Sequence, residues 1–200
     1  MAGQPADNYI PEEVRDNYEF HQWKHACAIL RGDFPDEWRD LIDMLRDFRL
    51  RKSWLVKGGG NKTELAKWID AFLGSRGWAE KQFATSVIVD ERRMESPTHK
   101  IDCYKNRIAL ELEWNNKDPF FDRDLNNFRL LFDLRAISVG IIVTRCDELQ
   151  DIFDGLGRGS SYGMSTTHMS KLLPRIEGGG GSGCPILVIG MKKTLYAEDR

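Results

Sequence analysis

Three carboxylates stand close together in IDCYKNRIALELEWNN, residues 101–116: Asp102, Glu111 and Glu113. Two β-rich runs flank the polar Lys105-Asn106-Arg107, which is the pattern of a β-hairpin. Side chains alternate between the faces of a strand, so Glu111 and Glu113 share one face while Ile108, Leu110 and Leu112 share the other. Asp102 precedes Glu111 by nine residues, and a hairpin brings the two side by side. Two carboxylates about 4 Å apart repel by roughly 4 kcal/mol at an effective dielectric of about 20. Three of them in a partly buried place require a bound cation or raised pKa values. Carboxylates plus one backbone carbonyl form an all-oxygen donor set suited to Mg²⁺. Mg²⁺ in turn suits chemistry on phosphates, because it activates water and neutralises developing charge. The other reading open here is a solvated polar face of an antiparallel sheet, which needs no cation.

The elements that must hold such a hairpin can be read around it. The first seventy-odd residues read as helical. Trp38, Leu41, Ile42, Leu45 and Phe48 fall at helix spacing, with Pro35 in the first turn after Asp33. Leu65, Trp68, Ile69, Phe72 and Leu73 mark a second helix, ending near Gly74 and Gly77. FATSVIVDE (83–91) reads as a strand. After the hairpin, PFFDRDLNNFRLLFDLRA (119–136) is helical, with Leu125, Phe128, Leu131 and Phe132 inward. ISVGIIVTR (137–145) is a strand covered on both faces, DELQDIF (147–153) a short helix, and CPILVIGM (184–191) a last strand. Helices flanking a mixed sheet give an α/β or α+β class. EGGGGSG (177–183) reads as a flexible loop, and GRGSSYGMSTTH (157–168) as a functional one.

Composition narrows the class. The 200 residues suffice for one domain with a sizeable core, here 1–200, with an N-terminal helical part (1–58) before a core (59–200). No apolar run spans a membrane, and the N-terminus lacks a basic-then-apolar signal pattern. Cys27, Cys103, Cys146 and Cys184 lie far apart without a CxxC pair, which argues against a zinc site or disulfide framework and fits a reducing cytoplasm. The net charge of −2 does not advertise nucleic-acid binding, although a local basic face would suffice for it.

VKGGGNKT (56–63) invites a phosphate-loop reading, but Val56 holds the first glycine position and Asn61 precedes Lys62-Thr63, so the nucleotide-hydrolase pattern fails. Lys57 and Lys62 can still contact DNA phosphates; a plain turn is the alternative. Asn pairs with adenine and Arg with guanine in the major groove, which makes Asn116 and the Arg158-bearing loop candidate base readers.

In order, Asp102, Glu111-Leu112-Glu113, Asn115-Asn116, an amphipathic helix, VGIIVT and GRGSSYG resemble the PD-(D/E)xK nuclease core, in the E-x-E form of Type II restriction endonucleases of the BamHI, BglII and BstYI kind. The resemblance runs from about residue 60 to 190. Glu113 stands where most of the superfamily has Lys, and Ile101 where a motif Pro would sit; the BamHI form shares both departures. It implies a restriction-endonuclease-like fold, bacterial and cytoplasmic. It further implies Mg²⁺ (Mn²⁺ as a substitute) held by Asp102, Glu111 and the Leu112 carbonyl. Glu113 would orient or deprotonate the attacking water. Glu80, in GWAEK, resembles an additional active-site carboxylate; a surface glutamate is the alternative. Asn115, Asn116, Arg158, Ser160, Ser161 and Tyr162 would face the DNA, and Lys117 would contact a phosphate. A homodimer cutting double-stranded DNA at a palindromic site, leaving 5′-phosphates, follows from the same resemblance. The rivals are an inactive DNA-binding or assembly protein of this fold and a repair nuclease without sequence specificity.

Overall fold

The computed structural model describes residues 6, 8–57, 62–95 and 98–199. Along the chain run α1 (Glu12–Arg15), β1 (Tyr18–Trp23), α2 (Ala26–Asp33), α3 (Pro35–Asp47), β2 (Leu50–Arg51), α4 (Lys52–Val56) and α5 (Glu64–Gly74). Then come β3 (Ala79–Lys81), β4 (Ser86–Val89), β5 (Arg92–Glu95), β6 (Ile101–Lys105), β7 (Ile108–Leu112) and α6 (Phe120–Asp133). β8 (Val139–Arg145), α7 (Gln150–Gly155), α8 (Met169–Glu177), β9 (Ile186–Met191) and β10 (Tyr196–Ala197) complete the fold.

A six-stranded sheet in the order β1-β9-β8-β7-β6-β3 forms the middle layer. Its centre, β7-β8-β9, is parallel, and its flanks are antiparallel. The central strands are covered on both faces, which is why β8 and β9 read as unbroken apolar runs. On one face Leu41, Leu45, Leu65, Ile69 and Leu73 of α3 and α5 pack against Ile108, Leu110, Leu112 and Val143. On the other, Phe121, Leu125, Phe128 and Leu131 of α6 and Leu172 of α8 pack against Ala109, Ile142 and Val188. Gly140 sets the approach of α6: a Cβ there would overlap the Phe128 ring. The expected α/β (α+β) restriction-endonuclease-like core, a central mixed sheet flanked by helices, is the architecture found.

Two element expectations are corrected. The N-terminal part is not wholly helical: Tyr18–Trp23 pairs antiparallel with β9 as an edge strand. Its half-buried pattern of aromatic and polar residues lies between helices and gives only a weak strand signal. The residues around 83–91 supply no strand to the main sheet. Ser86–Val89 pairs with Arg92–Glu95 in a separate, exposed ribbon carrying Val87, Ile88 and Met94 at its surface. Among the described residues no helix is long and apolar enough to cross a membrane.

Candidate active site and DNA-binding cleft

The hairpin turns on Asn106 and Arg107, both in the left-handed region (φ 43° and 69°), as a two-residue turn matched to strand twist requires. Its register pairs Cys103 with Leu110 and so sets Asp102 opposite Glu111. The two acids are laced into the backbone: Asp102 N–H donates to Glu111 Oε2 (3.2 Å), and Leu112 N–H donates to Asp102 Oδ2 (3.0 Å). Glu111 and Glu113 are each only 1% exposed, so the solvated-face reading fails. The strand's second face lies under α6, and the acids are trapped between them.

A fourth carboxylate, which the sequence reading missed, comes from α6. Asp124 is fully buried. Burial first, and then Asp124, push Glu113 up to about 9. Glu111 is raised well above the ordinary carboxylate range, by burial first, then by Asp124 and Asp102. Asp102, at the open rim, is raised by burial and by Asp124 and Asp70. Burial raises Asp124 as well, while Glu113 and Arg123 pull it down.

Both oxygens of Glu113 are held. Asn116 Nδ2 donates to Oε2 (2.9 Å) and Arg123 Nη2 to Oε1 (3.2 Å). Asn116 was expected at a base edge; without DNA its amide is engaged with Glu113. Glu111 Oε1 is buried without a partner. That orphan, next to Asp102, suits a hard cation, which would satisfy an oxygen that the protein leaves bare. Among the described residues no three metal-ligating side chains already form a cage, and the expected donor set uses two side chains and the Leu112 carbonyl.

Glu80 lies on β3, beside β6, and pairs with Lys100 (2.8 Å). Although exposed, it lines one cleft of about 300 Å³ with Lys62, Asp70, Trp78, Asp102 and Cys103. Lys62 pairs with Asp70 there. Lys62 also lines a second cleft, of about 290 Å³, with Lys57, Lys67, Asn115, Arg158 and Ser161. In that cleft four cations face one acid, Glu64, which pairs with Lys57 (2.8 Å) and Lys67 (3.0 Å). Residues 58–61, the glycine stretch and Asn61, lie outside the described residues.

The 157–168 loop is pinned from below. The buried Arg145 donates to Tyr162 O and Thr166 Oγ1 (both 2.9 Å). The Tyr162 ring stacks on Phe153 at 3.9 Å. Tyr162 is therefore buried, at 7% exposure, with its ring committed to this stack. Ser160 and Ser161 are exposed and Arg158 is half-buried. Asn115 Nδ2 donates to Ser161 O (3.0 Å), tying the turn after Glu113 to the loop. Lys117 is exposed and bridges Thr166 through its backbone. His168 is structural, its Nδ1 at 2.7 Å from Asp147 Oδ1.

A mixed sheet whose central hairpin buries clustered acids next to a basic cleft has the form of a metal-dependent nuclease of restriction-endonuclease architecture. The chain matches the family model "Restriction endonuclease BglII/BglIII" over residues 18–191 and belongs to that family. It is a Type II site-specific deoxyribonuclease. The search of characterised proteins gave no significant match.

Proposed function

We propose that this enzyme, as a homodimer, cuts double-stranded DNA at a short palindromic site in a Mg²⁺-dependent hydrolysis, each subunit cutting one strand to leave a 5′-phosphate. The observation that supports this reading is the joining of the acid cluster to the basic cleft at Lys62, which lines both. A phosphodiester backbone drawn along Lys57, Lys67 and Arg158 would arrive at Asp102.

Asp102, Glu111 and the Leu112 carbonyl would hold the cation, with Mn²⁺ able to replace Mg²⁺. When bound, the ion supplies a water of lowered pKa and neutralises charge on the scissile phosphate. A bound cation would favour the ionised form of Glu113, and in that form the carboxylate, held at both oxygens, would orient that water and accept its proton. Glu80 supports the rim beside Asp102. Lys57, Lys62 and Lys117 would position phosphates, which carry no sequence information. Asn115, Asn116, Arg158, Ser160 and Ser161 would present polar groups to base edges; Tyr162 serves this surface from beneath, by holding the loop. A bacterial cytoplasm fits such an enzyme, since its four cysteines are free and buried.

Digestion of sequenced phage DNA tests this. Discrete, Mg²⁺-dependent fragments are expected, with Glu111→Ala abolishing cleavage and keeping sequence-specific binding. A smear would replace the site-specific reading with nonspecific cutting, and near wild-type cleavage by Glu111→Ala would sink the active-site assignment.

A further inference from the structure

Asp124 has no evident role in the fold. It occupies an inner position of α6, among Phe121, Leu125 and Phe128, where an apolar residue would pack without cost. It stands too far inside the helix to cap its N-terminus. Burying a charge costs several kcal/mol unless it is paired. Its cationic partner is the preceding residue: Arg123 Nε (2.9 Å) and Nη2 (2.8 Å) both donate to Asp124 Oδ1. Neighbours i and i+1 do not face each other on a helix. The Arg123 side chain must therefore fold back from the outer surface to reach the buried carboxylate. On the way its guanidinium lies over the Phe120 ring, 4.3 Å from the centroid. Its Nη2 then reaches Glu113 Oε1 at 3.2 Å. Stacked, forked and bridged, the head group has little freedom, yet a third of the side chain faces solvent.

We propose that Arg123, seated on Asp124, is a positioning residue of the cleavage reaction that fixes the plane of the Glu113 carboxylate, supplying the cation that the motif lacks where Glu113 replaces the usual lysine. The inference rests on the active-site reading given above. Among the described residues Arg123 is the cation within ion-pair distance of Glu113. Lys117, the nearer candidate by sequence, is exposed on the turn and bridges Thr166 instead. Asp124 is the anchor: without it nothing on α6 would draw the guanidinium inward. Arginine suits the task better than lysine because its planar fork meets two carboxylates at once.

The test uses the full chain, with single-turnover cleavage of a DNA fragment carrying the mapped site in Mg²⁺ and affinity for the same fragment in Ca²⁺. Arg123→Ala should cut at least 100-fold more slowly, with affinity changed less than threefold. Arg123→Lys should retain an intermediate rate. Guanidinium chloride at about 50 mM, far below denaturing concentrations, should speed Arg123→Ala at least tenfold and leave Glu111→Ala unchanged. A rate within threefold of wild type overturns the proposal, as does affinity falling in step with rate, which would make Arg123 a DNA contact. A rate that falls alone but ignores guanidinium places Arg123 in the scaffold and overturns it too. Cleavage by Glu111→Ala would instead overturn the underlying assignment of the site.

Discussion

Replacing Glu113 with glutamine should inactivate the enzyme and make it more stable. In the folded chain its carboxyl is pushed up to about 9, first by burial and then by Asp124. An acid whose folded pKa lies above its unfolded value binds more protons when folded. Stability therefore falls as pH rises between the two values, here from about 4.5 to about 9, at about 1.4 kcal/mol per pH unit. Because pH 7 lies about two and a half units above the group's ordinary value and below its folded value, folding carries about 3 kcal/mol of penalty from it at that pH. Glutamine carries no charge to desolvate. It keeps an acceptor for Arg123 and offers an N–H toward Asp124, while the exposed Asn116 can turn its amide to match. For a chain of this size, 3 kcal/mol corresponds to roughly 6–12 °C in Tm. The assay is thermal unfolding without divalent cations at pH 6, 7 and 8. Wild type should lose Tm steadily across the series, and Glu113→Gln should melt higher with a shallower slope. Coincident melting temperatures and parallel slopes would refute the claim that burying Glu113 costs stability by holding it protonated.

Three further outcomes follow from the geometry. Lys57→Ala and Lys67→Ala should weaken specific and scrambled duplexes alike and lower the salt slope of binding by about one unit each, as isotherms at two salt concentrations will show. Asn116→Ala should slow cleavage through loss of its bond to Glu113 Oε2; if it also reads a base, the preferred duplex alone should lose about 1–3 kcal/mol of affinity, and equal weakening of both duplexes would remove it from recognition. Light scattering at micromolar concentration should give a dimer, with the N-terminal helices or the outer side of α6 at the interface; a monomer with and without DNA would count against paired cutting.

The hairpin was legible because it is local: a two-residue turn, a period-two pattern and the spacing from Asp102 to Glu111 together fix its register. The helices α3, α5 and α6 were legible from their apolar stripes. What escaped depends on contacts between distant segments. β1 is an edge strand, recognisable as such only through its pairing with β9. Lys67 and Trp54 join the cleft because α4 and α5 converge on the 157–168 loop. Tyr162 looked like a base-facing residue in a polar loop, yet the stack on Phe153 and the bond from Arg145 take it inward.

Asp124 is the instructive omission, since a signal for it was present. It follows Phe121 by three residues and precedes Phe128 by four, so helix periodicity alone puts it on the apolar face. An acid in such a place conflicts with packing, and conflicts of that kind are expected where function has been served at the cost of stability. The E-x-E motif draws attention to β7, but a strand can present its carboxylates on one side only. What orients them comes in part from the turn that follows, through Asn116, and in part from the layer opposite, which here is α6. Local pattern thus locates the acids, and the second helix layer, through Arg123 and Asp124, joins Asn116 in aiming Glu113.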